Sequence, residues 1–502
     1  MVLVDQMARD GILNNEGSIA ISASAGSGKT TIMIKKIKKI LDSIDNHKTI
    51  AAITFTTKAT SEIKRKAESE GINKEFVAMT NDSFIEQEII RPFISDTYGN
   101  DYKKDFIIDY SYKFNSFEEG KAVIVNQNKL GVFEKIKENF KFRLALDILK
   151  NNIAAQQYIQ SKYKMVFLDE YQDSDLDMHN LFMYFKNELK IKLFIVGDSK
   201  QAIYLWRGAQ SNIFELLEQQ KGIETYELIT NFRSHDEIVN YANLLHNKSY
   251  FNKNYSKTVE RVILHKTSDF VKSFTQMIES NEIDYEKEIT IIININEEAK
   301  LCTKILNESG YNFQFIPKTP IDNNTPNSSL LHYLACYVLD DNYTIYDFVE
   351  DTNLDSRRQA IMRLKDVISI LKNGQELNEN TINTTITELS NLMQINVTND
   401  ELELFIQTIR NVEFHSAFVK SDEKHKVMTV FGSKGLEFDQ VISFSKYYKI
   451  YIDRDLQNHY VCITRAKSKF IMISNNVYND HIVHKLDLTK MKCLNNLVKI
   501  IY

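Results

Sequence analysis

The chain has 502 residues, 43% hydrophobic and 26% charged, the balance of a soluble globular protein with material for about two to four domains. A net charge of −5 excludes a global basic field, so any binding of nucleic acid needs a local groove drawn from the 62 Lys and Arg residues. The four cysteines are scattered without CxxC spacing, which excludes a zinc site or disulfide framework and fits a reducing cytosol. The opening MVLVDQMARD has no signal-peptide pattern. The longest apolar stretch, near Leu330–Leu339, is far short of the ~20 residues a membrane span needs. A cytoplasmic protein without membrane attachment is expected.

The first predicted strand is SIAISA, Ser18–Ala23. It feeds a loop and then the helical pattern KTTIMIKKIKKIL. Glycines at 26 and 28 let backbone N–H groups curl around phosphate oxygens, and the helix N-terminus adds a favourable dipole. The loop and helix start, Ala23, Ser24, Ala25, Gly26, Ser27, Gly28, Lys29, Thr30 and Thr31, therefore form a candidate triphosphate site. Lys29 is placed to neutralise β/γ oxygens and the Thr30 hydroxyl to ligate Mg²⁺. Ala23 departs from the strict pattern, which has glycine there.

Further strands are predicted at TIAAITF (Thr49–Phe55), MVFLDE (Met165–Glu170) and LFIVGD (Leu193–Asp198). Strands alternating with helices predict a doubly wound parallel sheet whose ligands sit at the strands' carboxyl ends. At one such end, Asp169 is a candidate metal ligand and Glu170 a candidate base for an attacking water. A second strand set follows: TIIINI (Thr290–Ile295), KVMTV (Lys426–Val430), QVISF (Gln440–Phe444) and KFIMIS (Lys469–Ser474). The expected fold is α/β, with two RecA-like parallel-sheet domains of the P-loop NTPase type. The first spans 1–82 and 161–232, the second 233–320 and 421–502. Each is interrupted by a mainly helical insertion, 83–160 in the first and a reduced 321–420 in the second.

Read together, DEYQD (Asp169–Asp173) and VGDSKQAIYLWRGA (Val196–Ala209) resemble the UvrD/Rep/PcrA class of superfamily 1 DNA helicases. LITNFRS (Leu228–Ser234), SKGLEFDQV (Ser433–Val441) and YVCITRAK (Tyr460–Lys467) follow in that class's order, and TFTTKATSEIKRK (Thr54–Lys66) agrees. At finer scale EIIRPF (Glu88–Phe93), DEYQDSDLDMHNLFMYFK (Asp169–Lys186) and FIPKTPIDNNTPN (Phe315–Asn327) resemble the helicase-like subunit of the Gabija anti-phage system.

The resemblance implies roles for particular residues. Gln6 would read the adenine edge, Phe232 would stack on the base where the class usually has Tyr, and Glu437 would contact the ribose. Gln201 would sense the γ-phosphate, and Arg233 and Arg465 would be arginine fingers. For DNA, the candidates are the aromatic residues Phe55, Phe84, Tyr204 and Trp206, with Lys58 and Arg207 beside them; Lys64–Lys66 add a basic run. ATP as substrate, Mg²⁺ as cofactor, DNA single strands or ends, and an OLD-family (GajA-like) nuclease in a hetero-oligomer are implied partners. Two departures stand out: Phe431 replaces a His, and Asn296 stands where an Arg is usual. With the short insertions, they leave two functions in view, an ATP-driven helicase or translocase and a DNA-stimulated ATPase subunit that separates few or no strands.

Overall fold

The computed structural model describes every residue except 1–2, 136, 202–209, 211, 323–326, 353, 355–357, 373–377, 394, 420–422, 453–454, 490–492 and 502. The chain forms two compact units, one of 1–23, 28–228 and 320–411 and another of 24–27, 229–319 and 412–502.

The first unit is built on six parallel strands: β1 (Ser18–Ala23), β2 (Thr49–Thr54), β3 (Val77–Thr80), β6 (Tyr163–Leu168), β7 (Lys192–Gly197) and β8 (Ile223–Leu228), in the order β3-β2-β6-β7-β1-β8. Its central strands read as unbroken apolar runs because both faces are covered. Alternate residues enter separate cores: Met165 and Phe167 pack with Ile21 and Phe194, whereas Val166 and Leu168 pack with Leu193 and Ile195. β3 and β8 form the two edges. The edge strand IETYEL is exposed at three of its six positions, so it has no apolar run to mark it in the sequence.

The insertion after β3 holds the helices Arg91–Tyr98, Phe117–Gln127, Phe140–Asn151 and Ile153–Lys162, as the composition leads one to expect. Beside these helices it contains a two-stranded sheet of β4 (Ile107–Phe114) and β5 (Lys129–Phe133), so the insertion is mainly helical with one small sheet. The strands approach closely at Gly131, where a Cβ would lie 2.2 Å from the Tyr112 carbonyl oxygen.

The segment 320–411 lies in sequence between strands of the second sheet, yet it packs into the first unit. Ile395 bridges to Ile108 of β4 in parallel, the N–H of Asn396 donates to the Ile108 carbonyl, and the helix Ile345–Thr352 packs on the helix Thr57–Ser69. Local apolar faces on these helices set that choice of partner, which chain order does not reveal.

The second unit has seven parallel strands: β9 (Val262–His265), β10 (Ile289–Ile292), β11 (Phe313–Ile316), β12 (His425–Met428), β13 (Phe438–Phe444), β14 (Ala466–Ile473) and β15 (Lys499–Ile501). Their order is β11-β12-β10-β13-β14-β9-β15. Ile289, Ile291, Val427, Ile442 and Ile471 fill one core with Phe274 and Phe313. Among the described residues no helix is long and apolar enough to cross a membrane.

Candidate active site

β1 leads into the candidate phosphate loop, in which Gly26 and Gly28 both adopt positive φ, 72° and 80°. Gly28 is the N-cap of the helix Lys29–Asp42 and supplies no side-chain cap, so the helix begins with its first N–H groups directed outward for an anion. Lys29 and Thr30 are half-buried on its first turn and Thr31 is exposed.

At the end of β6 the first unit places the two acids side by side. Asp169 is 7% exposed, and its carboxylate accepts the N–H of Glu170 at 2.9 Å. Burial and the neighbouring Glu170 charge push its pKa up to about 7, against the pull of Lys29. Lys29 and Asp169 are thus near enough to feel each other's charge. Glu170 sits in the left-handed region, φ 52° and ψ 37°, a strained setting for a residue with a side chain.

Two hydrogen bonds brace that turn. Gln172 donates from Nε2 to the Glu170 carboxylate, and its Oε1 accepts the N–H of Asp198 at 2.9 Å. Asp198 in turn accepts from Gln201 Nε2 at 2.8 Å. Gln201 is buried at the end of β7 with its carboxamide directed to Asp198. Behind the acids, the Tyr171 hydroxyl and His179 Nδ1 lie 3.0 Å apart in the core.

Burial drives the His179 pKa down to about 4. Its folded value is therefore below its unfolded one, and stability is complete above about pH 6.5 and falls as pH drops from there toward 4. The loss reaches on the order of 3 kcal/mol at the acid end. The expected result is that His179→Gln flattens this part of the pH–stability curve in chemical unfolding; an unchanged acid slope would remove His179 as its source.

The second unit holds the other set. Asn231 Oδ1 accepts the N–H groups of Arg233 and Ser234, each at 2.8 Å, while its Nδ2 donates to the Ala25 carbonyl at 2.8 Å. The N–H of Phe232 donates to the Gly26 carbonyl at 2.8 Å, leaving its ring 58% exposed. A Cβ on Gly26 would lie 2.7 Å from the Asn231 side chain, so this position needs glycine for space as well as for φ. Arg233 donates from Nε to Glu437 at 2.7 Å, so the residues expected to meet phosphate and ribose hold each other. Arg465 is 1% exposed; its guanidinium donates to the carbonyls of Val461 at 3.0 Å and Leu436 at 2.9 Å. Tyr460 and Thr464 line a cleft with Ser24, Ala25, Asn231 and Ser234.

Gln172 and Asn231 are absent from the residues expected from sequence. Asn231 could have been found, since an Asn two residues before the arginine at a strand end is an Asx-turn signal. Gln172 lies within DEYQD, but its bond to the Asp198 N–H, 26 residues on, is not legible from that motif.

Other expected residues fare differently. Gln6 is turned along its own helix, donating to Asp10 at 2.8 Å. Phe84 is corrected from a base platform to a core residue: it is fully buried, 5.5 Å from the Tyr163 ring centroid and 6.3 Å from that of Phe185. The pattern TNDSF opens a short helix against the insertion, which turns the ring inward. Phe55 is half-buried against the same core. Lys66 pairs with Glu62 at 2.6 Å, and Lys64 is near Glu350. Lys58 lies on the first turn of the helix Thr57–Ser69, with its side chain outside what is described, and Tyr204, Trp206 and Arg207 lie outside the described residues. Of the departures, Phe431 is 43% exposed. Asn296 ties its amide to the backbone of Lys318, donating at 2.9 Å and accepting at 3.3 Å.

Residues 8–207 match the AAA domain family and residues 348–474 the viral superfamily 1 RNA helicase core domain. Among curated proteins, the chain is 42% identical to the Gabija protein GajB of Bacillus cereus (strain VD045), over 98% of this chain and 100% of that one. It is 25% identical to the ATP-dependent DNA helicase Rep of Buchnera aphidicola subsp. Schizaphis graminum, over 69% of this chain and 61% of the relative. With PcrA of Staphylococcus epidermidis, also named an ATP-dependent DNA helicase, identity is 27% over 47% of this chain and 38% of the relative. The chain therefore spans less than two thirds of those two helicases, 61% and 38%, but the whole of the first relative. On this full-length similarity and its two parallel-sheet units, the chain belongs to the GajB family, a helicase-like P-loop NTPase.

Proposed function

We propose that the protein is an ATP-driven, helicase-like motor that responds to DNA within a Gabija anti-phage defence complex, acting in the cytosol beside an OLD-family nuclease. One observation carries the reading: an acid pair, buried Asp169 and half-buried Glu170, closes a strand end within electrostatic reach of Lys29 at a helix N-terminus. That set suits hydrolysis of a triphosphate, with Glu170 polarising water, Lys29 on the β/γ oxygens, and Arg233 and Arg465 stabilising charge on the transferring phosphoryl group. Thr30 and Asp169 offer the hard oxygen donors Mg²⁺ prefers, and the ion would neutralise phosphate charge when bound. A buried carboxyl beside a second carboxylate fits a cation site. Phe232, Gln6 and Glu437 complete the nucleotide contacts in this reading.

The alternative is a DNA-stimulated ATPase subunit with little or no strand separation. The short insertions read from the sequence, at 83–160 and 321–420, favour it. ATP turnover measured with single strands, blunt ends and nicks, beside strand displacement, each with and without the nuclease, decides between them. Displacement supports the motor; stimulated turnover without displacement supports the alternative; no turnover under any condition removes both.

Trp206, the only tryptophan, is the proposed stacking platform for a base. Trp206→Ala should raise the DNA concentration for half-maximal ATPase stimulation by about tenfold, as loss of one base–aromatic stack implies. An unchanged half-point takes Trp206 off the DNA track.

A further inference from the structure

A hydrogen-bonded chain of side chains crosses the core of the second unit. The Tyr241 and Tyr478 hydroxyls lie 2.5 Å apart, Tyr478 meets His459 Nε2 at 2.7 Å, and His459 Nδ1 meets His246 Nε2 at 3.1 Å. Tyr241, Tyr478 and His459 are buried, whereas His246 is half-buried. The chain ties together three helices, Asp236–His246, Leu456–Ile463 and Asn476–Asp487. Its direction is set at the buried end. With Tyr241 donating to Tyr478, Tyr478 to His459 Nε2 and His459 Nδ1–H to His246, every hydrogen along it has an acceptor. The reverse order strands the Tyr241 O–H in the core. Burial, and then the nearby His246 and His481, hold His459 well below the ordinary histidine range. The other titratable groups at the pair are Tyr448 and Tyr460, whose rings meet His459 and His246 edge-on, with Cys462 beside Tyr241 and Tyr478.

We propose that His246 and His459 form an acid-sensitive latch on the helix Leu456–Ile463. A proton arriving at His246 Nε2 meets the N–H of His459. Either the chain reverses and the Tyr241 hydroxyl is left unpaired, or the contact between the histidines breaks. The closed pair thus refuses protons that the loosened helix accepts on two ordinary imidazoles. Because the closed state binds fewer protons than the loosened one, the latch is complete above about pH 6.5. It weakens as pH falls from there, by about tenfold per pH unit for each histidine. The latched helix also bears on the phosphate loop. The Ala25 N–H donates to the Tyr460 hydroxyl at 3.4 Å, the His246 ring packs on Tyr460 at 5.1 Å, and the Val461 carbonyl holds Arg465. Loosening the helix therefore releases the loop and the arginine; that consequence, unlike the latch itself, rests on the ATPase reading.

Amide hydrogen exchange of the full-length protein reads the latch without any nucleotide. Between about pH 7.5 and about pH 5.5, after correction for the intrinsic exchange rate, protection of residues 456–463 should fall about a hundredfold in wild type, roughly tenfold from each histidine. In His246→Gln, whose carboxamide oxygen still accepts from His459 but takes no proton, the fall should be about tenfold. Equal falls in the two proteins overturn the proposal, since His459 alone would then account for them. So does unchanged protection in wild type, whatever the variant does. ATP turnover with DNA and Mg²⁺ tests the consequence. The ratio of His246→Gln to wild-type turnover should rise about five- to tenfold over the same pH range, the Asp169 titration being common to both proteins and cancelling. A ratio that stays within about twofold of its starting value overturns the link to the phosphate loop. An inactive wild type removes the ATPase reading and leaves the exchange result to judge the latch.

Discussion

Replacing Glu170 with glutamine is expected to lower the rate of ATP hydrolysis by about a thousandfold while leaving nucleotide binding nearly intact. The magnitude is that of removing a positioned general base, typically 10² to 10⁴. The substitution is nearly isosteric, so the left-handed turn at φ 52° and its brace to Gln172 need not rearrange. It also removes a carboxylate that raises the cost of ionising Asp169, so the cation site keeps its ligand. Single-turnover hydrolysis and equilibrium binding of a fluorescent ATP analogue separate the two effects. A variant that hydrolyses within tenfold of wild type would mean that water is activated elsewhere.

Lys29→Ala should abolish measurable turnover and weaken ATP binding as well, the feature that sets it apart from the first variant. Lys29 opens the helix at whose N-terminus the proposed phosphate contacts begin, and no side chain on Gly28 can replace its charge. A cation lost from a phosphate clamp costs about 10² to 10³ in rate. Lys29 also opposes the burial that makes Asp169 hard to ionise, so its removal leaves that carboxyl more readily protonated and the metal ligand weaker. Raised Mg²⁺ should therefore restore part of the binding but little of the rate. Wild-type turnover in this protein would refute the phosphate site outright.

The paired side chains of the second unit bear on both results. Arg233 is held by Glu437 and Arg465 by main-chain carbonyls, so in the proposed reading each exchanges these partners to serve a phosphate.

What could be read from residue order is of one kind. The strands around the phosphate loop and the acid pair are apolar runs ended by glycine or acid, since parallel strands covered on both faces leave no room for polar alternation. Loop glycines, the lysine after them and the two acids are legible because their chemistry depends on neighbours within a few residues. The edge strands β3, β8, β11 and β15 and the β4–β5 pair were not, because short or half-exposed strands lack such a run. Phe84 looked like a platform from its motif, and only the insertion packed over it shows that it is core. The choice of unit for 320–411, the Gln172 brace, and the pairing of Arg233 with Glu437 all join residues distant in sequence. Their physical cause is packing and hydrogen-bond satisfaction between elements, which exist only once the sheets have formed and which no periodicity along the chain encodes.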